Sequence, residues 1–291
     1  MTMVSETILV TGGSGVLGAA VVRRLLDTGR PVRVLSRRPQ RAANTPEKAE
    51  WAVGDLATGA GLAEALDGVG VVVNCASDTK GAGKTDETAT RHLVEAAQAA
   101  GSPHVVHVSI VGIDLVPVGY YKAKLAAERL LQTSGLPYTV LRATQFHDLV
   151  LAGVQQLARL PVVPVPSGAL VQSVEVGEVA DRLAELALGE PVGRAPDLGG
   201  PKVWSGADLV RAVLRASGRR RSVLPLPLPG KAMKALRAGG LLVREGGSVG
   251  RRGFDDFLAA APLGDRTYGA AQAGDRAALK GMLTGQVSER G

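Results

Sequence analysis

The sequence predicts an α/β protein with a doubly wound parallel sheet and a smaller C-terminal region, from three observations. Strand-like and helix-like segments alternate from residue 7 to about residue 143. Several of the strand-like segments are continuous runs of Val, Ile and Leu, which are typical of strands buried on both faces. A glycine cluster separates the first strand from the first helix. This alternation predicts parallel strands joined by right-handed helical crossovers.

The elements of the N-terminal part follow from apolar periodicity and from the positions of glycine. Strands are predicted over residues 7–10, 32–35, 51–53, 69–74, 105–110 and 139–141. Helices are predicted over residues 15–28, 60–67, 85–100 and 120–134. Gly29, Gly101 and Gly135 each follow a predicted helix, where the left-handed backbone of a C-terminal cap favours glycine.

The regular alternation ends after Arg142. The proline-rich segments LARLPVVPVPSGALVQ and SVLPLPLPG predict irregular chain. Helices are predicted over residues 177–188, 206–217 and 230–238, and a short strand over 195–198. We therefore predict a sheet domain over residues 1–145 and a capping region over residues 146–291, with a return to the main sheet near 171–200. Ligands bind at the carboxyl ends of such strands, so the capping region is expected to shape a substrate cleft.

The composition is that of a globular chain without a metal site. Of the 291 residues, 45% are hydrophobic and 21% charged, which argues against disorder. The start, MTMVSET, lacks a signal-peptide pattern, and no apolar run is long enough to span a bilayer. One cysteine, Cys75, and four scattered histidines give no metal-ligand spacing. We expect a cytoplasmic protein with no metal and no membrane partner.

The formal charge of +7 raises the question of a nucleic-acid partner. Basic residues are spread along the chain, apart from Arg37–Arg38, Arg219–Arg221 and Arg251–Arg252, and aromatic residues are only 3%. Nucleic-acid binding favours clustered basic residues interleaved with aromatic side chains. We therefore expect no nucleic-acid partner, a small-molecule substrate, and a monomer or homodimer.

The glycine cluster, TGGSGVLG at residues 11–18, fits G-x-G-x-x-G from Gly13 and G-x-x-G-x-x-G from Gly12. One glycine supplies a positive φ, another allows a pyrophosphate to approach the backbone, and Gly18 lets the helix lie against the strand. The helix N-terminus offers unpaired N–H groups and the positive end of its dipole to phosphates. Between a strand and a helix, this motif predicts a dinucleotide site.

The end of the second predicted strand indicates which dinucleotide is bound. It reads VRVLSRRPQR and lacks the carboxylate that usually holds the ribose 2′-hydroxyl of NAD. The Arg37 guanidinium instead suits a 2′-phosphate, with which it can form a charge-assisted bidentate pair. NADP(H) is therefore favoured over NAD(H). Asp55 is placed to accept a hydrogen bond from the adenine amino group, although a role in its own turn explains it nearly as well.

Ser109, Tyr120 and Lys124 form the candidate catalytic set. If a helix begins near Tyr120, the i, i+4 spacing places Tyr120 and Lys124 on one face. Reduction of a carbonyl by hydride needs a proton donor at the developing alkoxide, and a nearby ammonium favours the phenolate form of a tyrosine. Ser109 would hold the carbonyl oxygen, and Lys124 could also bind the nicotinamide ribose. Tyr121 is an alternative to Tyr120 as the residue that faces the nicotinamide.

The sequence resembles the atypical short-chain dehydrogenases/reductases, specifically the NmrA-like group that includes triphenylmethane reductase and isoflavone reductase relatives. The matching stretches are VTGGSGVLG, VVVNCAS at 71–77, Ser109 with Tyr120-x-x-x-Lys124, SGLPYTVLRATQF at 134–146 and GRRGFDDFLA at 250–259. The resemblance implies a Rossmann-type core, a bound nicotinamide cofactor and a cleft closed by the C-terminal part. The helix predicted over 85–100 has no asparagine, so the asparagine of the better-known catalytic tetrad has no counterpart.

The resemblance also implies which residues line the cofactor and substrate sites. The cofactor would contact Gly12, Ser14, Gly15, Val16, Leu17, Gly18, Arg37, Asp55, Leu56, Cys75, Ala76, Ser77 and Lys124. The substrate or nicotinamide would face Thr144, Gln145, Phe146 and His147.

The sequence thus predicts an NADP(H)-dependent oxidoreductase that reduces a small carbonyl, quinone or enone compound, with Tyr120 as the proton donor. Two alternatives stay open, namely an NADP(H)-binding redox sensor without turnover and a non-redox epimerase or cyclase. An aligned proton donor favours an enzyme, because a sensor has no use for one.

Overall fold

The computed structural model describes residues 7–38, 48–78 and 85–260. The strands are β1 (Thr7–Thr11), β2 (Val32–Ser36), β3 (Glu50–Val53), β4 (Val69–Asn74), β5 (His104–Ile110), β6 (Tyr138–Ala143), β7 (Gln145–Phe146), β8 (Val162–Pro166), β9 (Leu170–Val174), β10 (Gly193–Arg194), β11 (Leu198–Gly199), β12 (Val203–Ser205), β13 (Ser222–Leu226) and β14 (Ser248–Val249). The helices are α1 (Val16–Asp27), α2 (Leu62–Leu66), α3 (Asp86–Ala99), α4 (Gly119–Thr133), α5 (His147–Leu157), α6 (Val176–Leu188), α7 (Gly206–Ala216), α8 (Lys231–Arg237) and α9 (Phe254–Ala260).

The main sheet is parallel and has the strand order β3-β2-β1-β4-β5-β6, extended beyond β6 by β11 and β14. The chain runs outward from β1 to β3 and then returns to place β4 on the other side of β1. The strand order therefore reverses between β1 and β4, and ligands bind at such a reversal in open α/β sheets. The predicted fold class is confirmed.

Helices cover both faces of the main sheet. Val10 of β1 packs with Leu25 of α1 and Leu183 of α6 in one core cluster. Leu9 points to the opposite face, where Leu93 of α3 belongs to the second cluster. This alternation explains why the strands read as continuous apolar runs, since each buries side chains on two sides.

The C-terminal half adds short strands to the edge of the main sheet. The strand expected over 195–198 is replaced by two shorter strands, β10 and β11, which both pair with β6. Between them the backbone stays bonded to the sheet, because the Ala195 N–H donates to the Val140 carbonyl at 3.0 Å. The Leu198 carbonyl in turn accepts from the Thr144 N–H at 2.9 Å.

The expectation that both proline-rich segments are irregular is wrong. Strands β8 and β13 pair with each other in parallel, with Val163 opposite Val223 and Pro164 opposite Leu224. In a two-stranded sheet each strand hydrogen-bonds on one side only, so a proline can occupy a position whose N–H would face away from the partner strand. The remaining strands, β12, β9 and β7, form a separate three-stranded sheet.

Helix α8 packs against the start of α4. Its residue Leu236 packs on a buried cluster of Ile113, Val116 and Tyr121. The loop after β5 also contacts the chain that follows α8. At Gly112 (φ +76°) a Cβ would lie 1.7 Å from the backbone oxygen of Gly240. The C-terminal half therefore contacts the carboxyl end of β5 directly. Among the described helices, none is long and apolar enough to cross a membrane.

Polar side chains join the carboxyl ends of three neighbouring strands. The Thr11 hydroxyl of β1 donates to Asn74 Oδ1 of β4 at 2.6 Å, and the Asn74 amide lies 3.1 Å from His107 Nδ1 of β5. All three side chains are buried. Burial lowers the pKa of His107 to about 3, with the Lys124 charge acting in the same direction.

The His107 network predicts a stability that falls on mild acidification. Below the ordinary histidine pKa of about 6.5, His107 binds a proton in the unfolded chain but not in the folded protein. The free energy of unfolding therefore falls by about 1.4 kcal/mol per pH unit until the pH reaches the pKa of His107 in the folded protein. The lowered pKa values of His104 and His147 act in the same direction. In urea unfolding, His107→Gln is expected to lose less stability than wild type between pH 6.5 and 5, by about 2 kcal/mol. Identical losses in both proteins would contradict this assignment.

Candidate functional site

The turn between β1 and α1 is built by glycines that admit no side chain. Gly12 has φ +67°, and a Cβ there would lie 2.7 Å from the Ala76 nitrogen and 2.8 Å from the Cys75 carbonyl carbon. A Cβ at Gly18 would lie 2.2 Å from the Gly12 oxygen. The turn thus fits against both its own helix and the segment that follows β4.

The outer side of this turn has the features of a phosphate cradle. Gly15 caps α1 without a side-chain hydrogen bond, and the first turn of the helix carries no acidic residue. The first N–H groups of a helix have no partner within the helix, so they stay available to an anion. Ser14, Gly15 and Val16 are exposed here, whereas Leu17 and Gly18 are buried against the core.

The residues expected to contact the adenosine part of the cofactor follow β2 and β3. Arg37 follows β2 directly and is exposed, as a ligand for a 2′-phosphate must be. Asp55 Oδ1 accepts a hydrogen bond from the Ala57 N–H at 2.9 Å, so this carboxylate stabilises its own turn. Leu56 contributes its carbonyl oxygen to a 2.9 Å contact with His92 Nδ1, which ties this loop to α3.

The segment after β4 connects the glycine turn to α4. The Cys75 N–H donates to the Thr11 carbonyl at 3.2 Å, which holds this segment beside β1. Burial raises the pKa of the Cys75 thiol to about 12, so the thiol stays protonated. Two residues further on, Ser77 Oγ lies 2.9 Å from the Tyr120 hydroxyl of α4.

An ion pair continues this chain of contacts. Ser77 donates to Asp86 Oδ2 at 3.0 Å, and Lys124 Nζ lies 3.2 Å from the same oxygen. Only about 5% of each charged side chain is exposed. Asp86 also accepts a hydrogen bond from the Asp78 N–H. Because a carboxylate can only accept, the Ser77 hydrogen points to Asp86, and the hydrogen between Tyr120 and Ser77 belongs to Tyr120.

The ammonium of Lys124 is kept charged in this buried position. Burial alone lowers the pKa of Lys124, but its interactions with Tyr120 and Asp86 outweigh burial and raise the pKa above the ordinary value. One ammonium hydrogen is directed at Asp86, which leaves two for other acceptors. Lys124 can therefore bind a further hydroxyl, such as that of a ribose, without losing its partner.

Tyr120 and Lys124 belong to a longer polar stripe on α4. Glu128 follows at i+8 from Tyr120 and is fully buried. It forms a bidentate pair with Arg142 of β6, at 2.8 Å and 2.6 Å. Arg142 also donates to Asp114 at 2.9 Å. The Lys124–Asp86 pair ties one turn of α4 to α3, and the Glu128–Arg142 pair ties the next turn to β6, so together they fix the position of Tyr120.

Ser109 is not the partner of Tyr120 among the described contacts. It lies in β5, and its hydroxyl is buried without a hydrogen-bond partner in the described part of the chain. Its neighbour across the sheet is Arg142. The serine that contacts Tyr120 is Ser77, which the sequence places among the cofactor residues only.

Tyr121 faces α8 in the C-terminal half of the chain. Its side chain is 1% exposed and lies in the cluster beneath α8, and burial raises its pKa. Gln145 donates a long hydrogen bond of 3.4 Å to its hydroxyl. Tyr120 instead reaches the Ser77 and Lys124 side of the helix. The ring of Tyr120 packs against the same cluster, but the two hydroxyl groups meet different partners.

The four expected substrate residues divide into two groups. Thr144 is buried with an unpartnered hydroxyl within the described residues, and Gln145 and Phe146 are half-buried. His147 is fully buried, and both of its ring nitrogens are engaged, with Ser173 Oγ at 2.9 Å and the Arg252 carbonyl at 3.1 Å. These contacts join α5 to β9 and to the chain before α9, and leave no ring nitrogen of His147 for a substrate.

Sequence reasoning missed Asp86 and Arg142. Asp86 begins α3, where an acidic residue is commonly explained by the helix dipole alone. Arg142 ends a buried strand and gives no local sign of its two acidic partners. Among the described residues, no group of three or more His, Cys, Asp or Glu side chains is arranged to hold a metal ion.

Two relatives each match about three quarters of this chain. A (4-alkanoyl-5-oxo-2,5-dihydrofuran-3-yl)methyl phosphate reductase from Streptomyces griseus is 30% identical over 218 residues, which are 73% of this chain and 74% of the relative. The photosystem II assembly factor Ycf39 of Trieres chinensis is 29% identical over 231 residues, which are 76% of this chain and 72% of that protein.

A solved structure supports the same fold. An NADPH-dependent quinone oxidoreductase from Escherichia coli, solved in complex with NADPH, superposes with a TM-score of 0.74 at 22% identity, covering 87% of this chain and 98% of the other. The model of the NAD(P)H-binding family matches residues 12–186, which begin at the glycine turn and end in α6. This match confirms the family expected from the sequence: the chain belongs to the NAD(P)H-binding family.

Proposed function

We propose that this protein is an NADPH-dependent reductase of a small organic carbonyl, quinone or enone compound, with Tyr120 as the proton donor. The proposal depends above all on the hydrogen-bonded chain from Tyr120 through Ser77 to Asp86 and Lys124. Ser77 directly follows the peptide that packs on Gly12. A proton donor at the edge of a nucleotide site is what reduction by hydride requires.

The residues of the glycine turn fit a dinucleotide. A Cβ at Gly12 would fill the space beside the segment after β4, and the exposed N-terminus of α1 offers its N–H groups to a pyrophosphate. Arg37 would bind the 2′-phosphate, and Lys124 would bind the nicotinamide ribose with its remaining hydrogens. When bound, the cofactor supplies the hydride.

Tyr120 would release its proton with help from Ser77. In the free protein Tyr120 donates to Ser77, and Ser77 donates to Asp86. When a substrate oxygen arrives, the Tyr120 hydroxyl turns toward it and delivers the proton as the alkoxide develops. Ser77 can then turn its own hydrogen from Asp86 to the phenolate, which stabilises the negative charge left on Tyr120. The ammonium of Lys124 compensates the carboxylate that Ser77 releases.

A second candidate is a cofactor-binding protein without turnover. The specific observation in its favour is the similarity to Ycf39, which is named as an assembly factor. In that case the buried Asp86–Lys124 pair would serve cofactor binding only. The two candidates differ in whether Tyr120 is needed for a reaction, so a variant of Tyr120 distinguishes them.

Removal of the Tyr120 hydroxyl is expected to abolish proton delivery while sparing cofactor binding. NADPH oxidation is followed by the loss of the absorbance of the reduced nicotinamide, with a panel of quinones, enones and aldehydes as substrates. Tyr120→Phe is expected to lower kcat about 100-fold or more, the usual contribution of a general acid. Its dissociation constant for NADPH, measured by fluorescence titration, is expected to stay near that of wild type.

Tyr121→Phe is the matched control, because it removes the same atom one residue away. It is expected to keep most of the activity, since Tyr121 faces the α8 side. Equal losses in both variants would contradict the role of Tyr120. An unchanged rate in Tyr120→Phe, or a wild-type protein that binds NADPH and reduces nothing in the panel, would favour the binding protein.

The choice of cofactor can be tested at Arg37. Arg37→Glu is expected to weaken NADPH binding about 10- to 100-fold, because the 2′-phosphate loses a charge-assisted pair and meets a like charge. NADH, which has no 2′-phosphate, is expected to bind nearly as before. Arg129→Glu makes the same charge change on an exposed residue of α4. Equal weakening of NADPH and NADH would reject the 2′-phosphate assignment.

The ion pair predicts a pH effect on cofactor binding. In Asp86→Asn, burial still lowers the pKa of Lys124, while one of the interactions that raise it is lost. Lys124 is then expected to lose its proton at a lower pH than in wild type. NADPH binding should therefore weaken as the pH rises from about 7 to about 9, a range below the ordinary lysine pKa. Glu87→Gln, in the same first turn of α3, is the control and should follow wild type. A parallel pH dependence in all three proteins would exclude this role for Asp86.

A further inference from the structure

A cavity lined by arginines lies far along the chain from the nucleotide site. It has a volume of about 530 Å³ and is bordered by Pro161 and by five arginines, which are Arg211, Arg215, Arg219, Arg220 and Arg221. The space is a depression widely open to solvent, and its volume falls within the range of small-molecule sites. None of these arginines contributes to the proposed reduction.

The chain builds this cavity with a specific turn. Helix α7 buries one face, including Leu209 and Val213, and its opposite side carries Arg211 and Arg215 one turn apart. At the end of the helix Gly218 has φ +63°, its N–H donates to the Arg215 carbonyl, and the Arg219 N–H donates to the Leu214 carbonyl. This Schellman-type ending reverses the chain. It brings Arg219–Arg221 to the cavity that Arg211 and Arg215 also line.

The positive charge of the cavity is hardly compensated. Arg211 pairs with Asp208 at 2.9 Å, and Arg215 lies close enough to help lower the pKa of that carboxyl, but Arg219 and Arg220 form no salt bridge in the described part of the chain. All five side chains are exposed. Like charges gathered on one surface raise the local potential and attract anions. A single arginine in the last turn is explained by the helix dipole, but three more beyond the helix end are not.

We propose that this cavity is a binding site for a compact soluble anion that carries two or more phosphate groups. The planar guanidinium group matches phosphate oxygens with paired hydrogen bonds, and several arginines together suit more than one phosphate. The arginines border one open depression of about 530 Å³, which matches a compact anion in size. The absence of aromatic side chains among the lining residues disfavours stacked nucleic-acid bases.

Calorimetric titration with sodium tripolyphosphate tests the proposal. It is run with saturating NADPH, so that the glycine turn is occupied, and again without NADPH. Wild type is expected to bind one tripolyphosphate at the cavity in both conditions, with an affinity that falls as salt rises. Arg215→Gln/Arg219→Gln is expected to weaken this binding at least about tenfold, as loss of charge-assisted hydrogen bonds implies.

The matched control is Arg129→Gln/Arg251→Gln, which removes two exposed charges outside the cavity. It is expected to bind as wild type does. Equal weakening in both double variants, or no binding by wild type, would overturn the proposal. Stronger binding to phosphatidylglycerol vesicles or to a single-stranded oligonucleotide than to tripolyphosphate would also overturn it, because the ligand would then be a surface or a polymer. A protein that fails to bind NADPH would refute the proposed reductase, while the comparison of the double variants still tests the cavity.

Discussion

The packing of the Gly12 backbone on the peptide between Cys75 and Ala76 is the constraint on which the candidate site depends. A Cβ at Gly12 would lie 2.7 Å from the Ala76 nitrogen, and φ is +67°. Both conditions favour glycine alone. The contact brings the turn after β1 and the segment after β4 together at the point where the strand order reverses. Ser77, and through it the hydroxyl of Tyr120, is placed relative to the glycine turn by this one contact.

Helix α4 is positioned by charges that the protein buries. Tyr120, Lys124 and Glu128 follow one another at intervals of four residues, and each meets a different element, through Ser77, Asp86 and Arg142 respectively. Two buried ion pairs cost desolvation, and apolar replacements of such pairs are often no less stable. Their contribution here is geometric, because each pair permits only one rotation of the helix about its axis. With Lys124 and Glu128 fixed, Tyr120 can present its hydroxyl only at the end of β4.

The N-terminal half could be predicted from sequence because its signals are local. Buried strands such as 69–74 read as apolar runs, and Gly101 ends a helix with φ +95°. The proline-rich strands could not be predicted, since β8 and β13 are stabilised by each other across 60 residues of chain, from Val162 to Ser222. Asp86 was missed for a related reason. Its first-turn position has a sufficient local explanation, and only the fold places Lys124 beside it.

The topology explains why the serine beside Tyr120 comes from the segment after β4 and not from β5. In the order β1-β4-β5, β4 is the only strand between the glycine turn and β5. The chain that leaves β4 therefore passes nearest to the turn, and a hydroxyl there can join the turn to α4. The side chain of Ser109 is still within β5 and points to the face covered by α4, beside Arg142. A strand-end serine is visible in sequence, but which strand lies next to the turn is a property of sheet order, which no single residue encodes.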